Sequence, residues 1–382
     1  MFATFAFRPV AHAPGDRTIR RPMQASSPFM QRALQLARTA AGDVGANPLV
    51  GAVLVQGEHI LAEGWHTRFG GPHAEVECLR AFGDGPVPED AVMYVTLEPC
   101  SHVGKTPPCA DLLIARDVKQ VVIAHTDPFP EVSGRGIAKL RGAGVQVVVG
   151  MDEAEARWTN RRFLSSVERN RPYVVLKWAR SSDGFLDRHP REGRTVQRIS
   201  TAATDVLVHG WRSAEQAILV GGTTVLNDDP SLTVRHIQGP QPLRVVLDRS
   251  GVTPASSKVF DGSAPTLLFT KNIRKDLHVE QYTLSDGDEP LEAVLRELND
   301  RGIRSLLVEG GAGLLRNFLT VGLWDEARVI SGAPLFHAGT RAPDMESKIQ
   351  RSFVSDKDLI TYHLNPASAA TGANEPLPAW PW

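Results

Sequence analysis

His73, Glu75, Cys100 and Cys109 are the residues of this chain whose types and spacing point most directly to chemistry. An imidazole and two thiolates are good ligands for Zn2+, and three protein ligands leave the fourth tetrahedral position open to water. A structural zinc site has no use for a carboxylate two residues after the histidine. A hydrolytic site does: Glu75 is placed to take a proton from water, pass it to a ring nitrogen and help an amine leave as ammonia. Glu77, four residues from His73, reads as a solvated helix face, and Glu98, just before Pro99, as a residue that fixes a loop. His102 offers a fourth ligand only if the site is structural.

The His-x-Glu … Pro-Cys pattern matches the signature of zinc sites that deaminate nucleobases. It departs in one respect, because eight residues rather than two separate Cys100 from Cys109. Groups so far apart must be gathered by the fold. Apolar spacing predicts a helix from Phe29 to Ala41 and strands at Val50–Val55, Ile60–Gly64, Ala91–Thr96, Val121–Ala124 and Val145–Val149. Helices are expected at His73–Arg80, Cys109–Ala115 and Gly136–Arg141, with Pro107-Pro108 tolerated just ahead of the second. This alternation predicts a three-layer α/β unit. It puts His73 and Cys109 at helix N-termini, where orphan N–H groups and the helix dipole favour thiolates.

A chain of 382 residues is too long for one ordinary core, so two domains of roughly 150–200 residues are expected. The formal net charge of −1 and the lack of an aromatic-basic stripe argue against a nucleic-acid partner. No apolar run approaches the roughly 18–20 residues of a membrane span. Three cysteines make no disulfide framework, which suits a reducing cytoplasm, and Cys78 is expected to pack as a small apolar residue. Residues 1–27 read as an extension without a secretory pattern, and residues 366–382 as an Ala-, Pro- and Gly-rich tail.

The second α/β unit starts near Arg171, after a charged helical connector at 151–170. Strands are expected at Tyr173–Trp178, Ala217–Val220, Leu243–Leu247, Thr266–Phe269 and Ser305–Val308, with helices at Thr201–Arg212 and Leu314–Thr320. Gly310-Gly311-Ala312-Gly313 follows the last strand and allows close backbone approach to a phosphate at a helix N-terminus. It is not Gly-x-Gly-x-x-Gly, so no Rossmann fingerprint is present.

Asn47-Pro48-Leu49-Val50-Gly51, Pro72-His73-Ala74-Glu75-Val76, Leu97-Glu98-Pro99-Cys100-Ser101-His102 and Gly104-Lys105-Thr106-Pro107-Pro108-Cys109 closely resemble the bifunctional riboflavin-biosynthesis deaminase/reductase family. The eight-residue cysteine gap is this family's own spacing. The resemblance resumes at Leu176-Lys177, Ser182-Asp183-Gly184, Thr224-Val225 and Asp228–Arg235, and closes at Val308-Glu309-Gly310-Gly311. It implies a cytidine-deaminase-like three-layer domain at 28–150 and a dihydrofolate-reductase-like α/β domain at 171–365. The implied reactions are zinc-dependent deamination of 2,5-diamino-6-(5-phospho-ribosylamino)pyrimidin-4(3H)-one, then reduction of the ribosyl side chain to ribityl with NADPH. A homo-oligomer acting on small molecules is expected. The alternative is a deaminase whose second domain only binds ligand or oligomerises.

The resemblance assigns His73, Cys100 and Cys109 to zinc and Glu75 to proton transfer, with Asn47, His66, His102 and Lys105 at the pyrimidine or its ribose phosphate. It implies Arg212, Leu232, Arg235 and Glu309 at the reductase substrate. Lys177, Thr224, Asp228, Gly310, Gly311, Ala312 and Gly313 are implied at the cofactor, with Asp183 near the same crevice. Three positions depart. Val196 and Arg198 stand where the family has a Ser-x-Trp pair, and Arg249 stands where a serine is expected. Val196 cannot donate the serine's hydrogen bond; Arg198 is a candidate to stack or meet a phosphate, and Arg249 to favour a 2′-phosphate.

Overall fold

Ser27 starts the first helix by accepting the Phe29 N–H at 3.3 Å, and Pro28 sits in the first turn, where its missing N–H is harmless. In this computed structural model the described residues are 26–41, 44–45, 47–101, 107–129, 133–191, 193–194 and 196–368. Helix α1 (Pro28–Thr39) precedes a five-stranded sheet of β1 (Gly51–Gln56), β2 (His59–Trp65), β3 (Val92–Val95), β4 (Gln120–Ile123) and β5 (Gln146–Val149). The order is β2-β1-β3-β4-β5, antiparallel at β2-β1-β3 and parallel from β3 to β5.

The two faces of β1 follow from side-chain alternation. Val53 and Val55 meet Met30, Ala33 and Leu34 of α1 and Ala156 of α5 (Glu153–Thr159). Ala52 and Leu54 meet the layer formed by α2 (Ala74–Phe82), α3 (Cys109–Ala115) and α4 (Arg135–Gly142). The predicted three-layer arrangement is therefore present. A Cβ on Gly64 would stand 2.2 Å from the Cys78 backbone nitrogen, so only glycine lets α2 lie this close to β2. Cys78 is buried, its thiol reaches the Ala62 carbonyl at 3.4 Å, and burial pushes its pKa up to about 12.

The second sheet joins β6 (Tyr173–Arg180), β7 (Ala217–Gly221), β8 (Leu243–Leu247), β9 (Thr266–Thr270), β10 (Glu280–Thr283), β11 (Ser305–Val308), β12 (Glu326–Ser331), β13 (Ile349–Ser355) and β14 (Asp358–Leu364). Its order is β10-β9-β8-β7-β11-β6-β12-β14-β13. Strands β10 to β12 run parallel, and the β13–β14 hairpin adds an antiparallel edge. Helices α9 (Pro290–Asp300) and α10 (Ala312–Val321) cover one face; α7 (Ala202–Ala214) and α8 (Gly222–Asp228) cover the other. The central strands are buried on both faces, which is why they read as unbroken apolar runs.

Residues 151–170 are more than a connector. They form α5 and α6 (Arg161–Arg169), and the junction between them grips both sheets. Asn160 is buried and clasps the Leu49 backbone, accepting its N–H at 2.7 Å and donating to its carbonyl at 3.0 Å. Two residues later Arg162 forms a two-pronged ion pair with buried Glu215 at 2.5 and 2.8 Å. Glu215 also meets Arg328 at 3.3 Å, and Arg328 meets Glu326 at 2.6 Å. Asp325, also buried, holds Arg171 at 2.6 Å and pairs with Arg169.

Candidate active sites

His73 is the residue before α2, Cys109 is the first residue of α3, and Cys100 lies in the loop after β3. The structure brings their ligand atoms within 4.8 Å of one another. His73 Nδ1 is 3.3 Å from Cys109 Sγ and 3.5 Å from Cys100 Sγ. The Cys109 N–H donates to Cys100 Sγ at 3.3 Å. Hydrogen bonds from Cys109 and His73 pull the Cys100 pKa down to about 4; the shared proton and burial push Cys109 up. One nitrogen and two sulfurs fit Zn2+, and among the described residues no fourth His, Cys, Asp or Glu joins the group.

Glu75, in the first turn of α2, is buried beside this trio, and burial raises its pKa. A desolvated carboxylate accepts a proton readily, as a shuttle must. Glu77 instead pairs with Arg80 at 3.1 Å on the helix surface. Glu98 holds the ligand loop: its carboxylate accepts four backbone N–H groups, from Asp127, Gly134, Gly136 and Ile137, at 2.9–3.2 Å. A Cβ on Gly136 would stand 2.0 Å from the Pro99 carbonyl oxygen. Gly136→Ala should therefore displace Cys100 and weaken zinc binding about tenfold or more, as chelator competition will show; unchanged affinity would remove Gly136 from the account.

His66 lies edge-on to His73, ring centres 5.9 Å apart. Its Nδ1 bonds the Pro72 carbonyl at 2.8 Å and therefore carries the proton, and Nε2 accepts from the Asn47 amide at 2.9 Å. Burial lowers its pKa, so the ring stays neutral. Asn47 and His66 thus flank the candidate metal ligands; His102 and Lys105 lie outside the described residues.

In the second half a cavity of about 790 Å3 opens at the carboxyl ends of β7 and β11. Lys177, Val196, Arg198, Arg212, Thr224, Asp228, Leu232, Arg235, Glu309, Gly310, Gly311, Ala312 and Gly313 all line it. Arg212 grips Glu309 through two contacts at 2.7 and 2.8 Å, and Lys177 stands 3.6 Å from the same carboxylate. Burial alone would raise the Glu309 pKa; these cations hold it at about 2. Arg212 is thus already engaged, whereas exposed Arg235 has no ion-pair partner among the described residues. Asp228 pairs with Arg191 at 2.5 Å. Leu232 is buried at a φ of 56°, a left-handed conformation that persists only where its surroundings enforce it. A Cβ on Gly310 would meet Leu314 at 2.5 Å, and one on Gly311 would meet Thr224 Oγ1 at 3.1 Å. Side-chain-free backbone of Gly310, Gly311 and Gly313 lines the cavity at the start of α10, a cradle that fits a cofactor pyrophosphate.

Residues 172–354 match the model of the RibD C-terminal domain, and residues 23–125 that of the cytidine and deoxycytidylate deaminase zinc-binding region. The Aquifex aeolicus riboflavin biosynthesis protein RibD is 37% identical over 351 residues, covering 87% of this chain and 97% of that protein. The chain belongs to the RibD family. Escherichia coli RibD is 36% identical over 331 residues, 82% of this chain and 89% of its own. A Thermotoga maritima diaminohydroxyphosphoribosylaminopyrimidine deaminase/5-amino-6-(5-phosphoribosylamino)uracil reductase structure superposes with a TM-score of 0.78 at 36% identity, covering 88% of this chain and 97% of that one. Both parts of a RibD enzyme are present, a deaminase (hydrolase) and a reductase (oxidoreductase), and the protein is a bifunctional enzyme of riboflavin biosynthesis.

The positions that depart from the RibD pattern fall in different places. Val196 is exposed at the cavity wall. Arg198, also at the wall, pairs with Asp205 at 2.5 Å instead of reaching inward unaccompanied. Arg249 does not line the cavity. It is exposed in the turn after β8, which Asp248 folds back by accepting the Val252 and Thr253 N–H groups. Asp183 is also absent from the wall; it fastens a turn, accepting from Ser181 Oγ at 2.6 Å and the His337 N–H at 2.7 Å. His209 and Arg191 also line the cavity and lie outside the motifs that the sequence offers. The signal for His209 was its place three residues before Arg212 on one helix.

Proposed function

We propose that residues 28–150 deaminate 2,5-diamino-6-(5-phospho-ribosylamino)pyrimidin-4(3H)-one with Zn2+ on His73, Cys100 and Cys109. Residues 171–365 then reduce the ribosyl group to ribityl with NADPH. The observation that carries this reading is the gathering of one imidazole nitrogen and two sulfurs within 4.8 Å, beside a buried carboxylate. When bound, zinc supplies the Lewis acidity that makes water a nucleophile at neutral pH. Glu75 takes one proton from the attacking water and delivers it to the ring nitrogen, then takes the second from the new hydroxyl and delivers it to the amine, which leaves as ammonia while the carbonyl forms. Asn47 and neutral His66 orient the pyrimidine, and Lys105 and His102 serve the same substrate.

In the reductase cavity NADPH, when bound, supplies the hydride. Gly310–Gly313 and the start of α10 receive its pyrophosphate, with Lys177, Thr224 and Asp228 along its path. Arg235 meets the substrate phosphate, and the Arg212–Glu309 pair with Leu232 forms the wall that orients the sugar. The three cysteines are free, which supports a reducing, cytoplasmic location for the enzyme; among the described residues no helix is long and apolar enough to cross a membrane.

The test uses the purified full chain. Ammonia release should stop on chelation and return with added Zn2+, and NADPH should be oxidised with the deaminated compound as substrate. Ammonia release that survives complete metal removal would overturn the first assignment. A chain that releases ammonia but never oxidises NADPH would be a deaminase alone.

A further inference from the structure

We propose that His209 is a positioning residue for the reductase substrate: one ring nitrogen fixes the backbone of Arg235, and the other offers a neutral donor to the sugar phosphate. The inference rests on the reductase reading above and deepens it. Helix α7 presents Asp205, Val208, His209 and Arg212 to the cavity, spacings that keep them on one face. His209 is buried, and its Nδ1 accepts the Arg235 N–H at 3.0 Å. In a neutral ring the proton then sits on Nε2. That N–H has no partner among the described residues and is not sealed from the cavity. His236 packs edge-on against the ring, centres 4.4 Å apart.

The strand of chain around Arg235 is held at two adjacent points. Gln241 clamps Val234, accepting its N–H at 2.8 Å and donating to its carbonyl at 2.7 Å. His209 holds the next N–H. Arg235 is therefore a cation on a fixed root with an unengaged head, the arrangement wanted for an anionic group entering from solvent. Burial, with Arg212, Arg235 and His236 nearby, pushes the His209 pKa down to about 4. The ring thus adds a hydrogen bond without adding a charge beside the two guanidinium groups.

Steady-state kinetics on the full chain tests this. His209→Phe keeps a ring and removes both nitrogens. It should raise KM for the deaminated phosphorylated substrate about tenfold or more, with kcat within about threefold and KM for NADPH unchanged. His209→Asn puts an amide oxygen near the place of Nδ1 and should recover most of that loss. Zinc content and melting temperature report folding. Should His209→Phe fail to fold, Gln241→Ala, which frees the neighbouring clamp, carries the same KM prediction. An unchanged KM in the folded variant overturns the inference, as does an Asn variant no better than Phe, or a fall in kcat that mirrors KM. If the unmodified chain oxidises no NADPH, the reductase reading falls and takes this inference with it. If it oxidises NADPH and His209→Phe is normal, only the inference falls.

Discussion

Glu75→Gln should cut kcat/KM for deamination by about a hundredfold to ten-thousandfold while zinc remains bound at one ion per chain. The amide matches the carboxylate in shape, so the packing of α2 and the positions of His73, Cys100 and Cys109 are kept. It cannot take a proton from water or hand one to a leaving amine. The buried setting of Glu75 sharpens the expectation, because bulk solvent does not reach its position to substitute as base. Ammonia release and zinc content measured on the same preparation decide the matter. Ordinary turnover in the Glu75→Gln variant would leave the zinc trio without its proton carrier and remove the hydrolytic assignment.

The largest expected effect on stability lies elsewhere. Glu215→Ala should destabilise the second half by about 3–5 kcal/mol, because half-buried Arg162 would lose its ion-pair partner and buried Arg328 would be left with Glu326. Burial pushes the Glu215 pKa up, and the Arg162 and Arg328 guanidinium groups reverse this, holding it at about 2 against an ordinary 4.5. The folded value is the lower one. Its contribution is therefore present above about pH 4.5 and lost as pH falls towards 2. Urea unfolding followed by tryptophan fluorescence, at neutral and acid pH, checks both statements. Equal midpoints for the two proteins at neutral pH would show that the charge network is dispensable.

The chemistry was more legible in the sequence than the edges of the fold. His73, Glu75, Cys100 and Cys109 stand beside glycines and prolines that set loops, and central strands such as Val174–Leu176 and Leu306–Val308 are apolar because both faces are covered. Strand β13 is mostly exposed, β10 is only partly covered, and both are mostly polar, so no apolar run announced them. Strand β12 hid for another reason: Glu326 and Arg328 look like surface residues and are buried against each other. Helix α9 went unread despite its Pro290 start and buried leucine stripe. In the reductase cavity the glycines were legible, whereas the Arg212–Glu309 pairing was not, since the two residues are distant in sequence and meet only through the sheet. The solvent-facing placement of Arg249 depends on a turn that Asp248 closes by accepting the N–H groups four and five residues on.

The junction at Asn160 and Arg162 has a practical result for anyone wishing to express the two catalysts separately. A fragment ending before Asn160 would strip Leu49 of both partners for its peptide groups, and one beginning after Arg162 would strip Glu215 of its principal counter-ion. Only a break between Asn160 and Arg162 leaves each piece with its own fastening. A truncation placed anywhere else in this stretch would need compensating substitutions on whichever side lost its fastening.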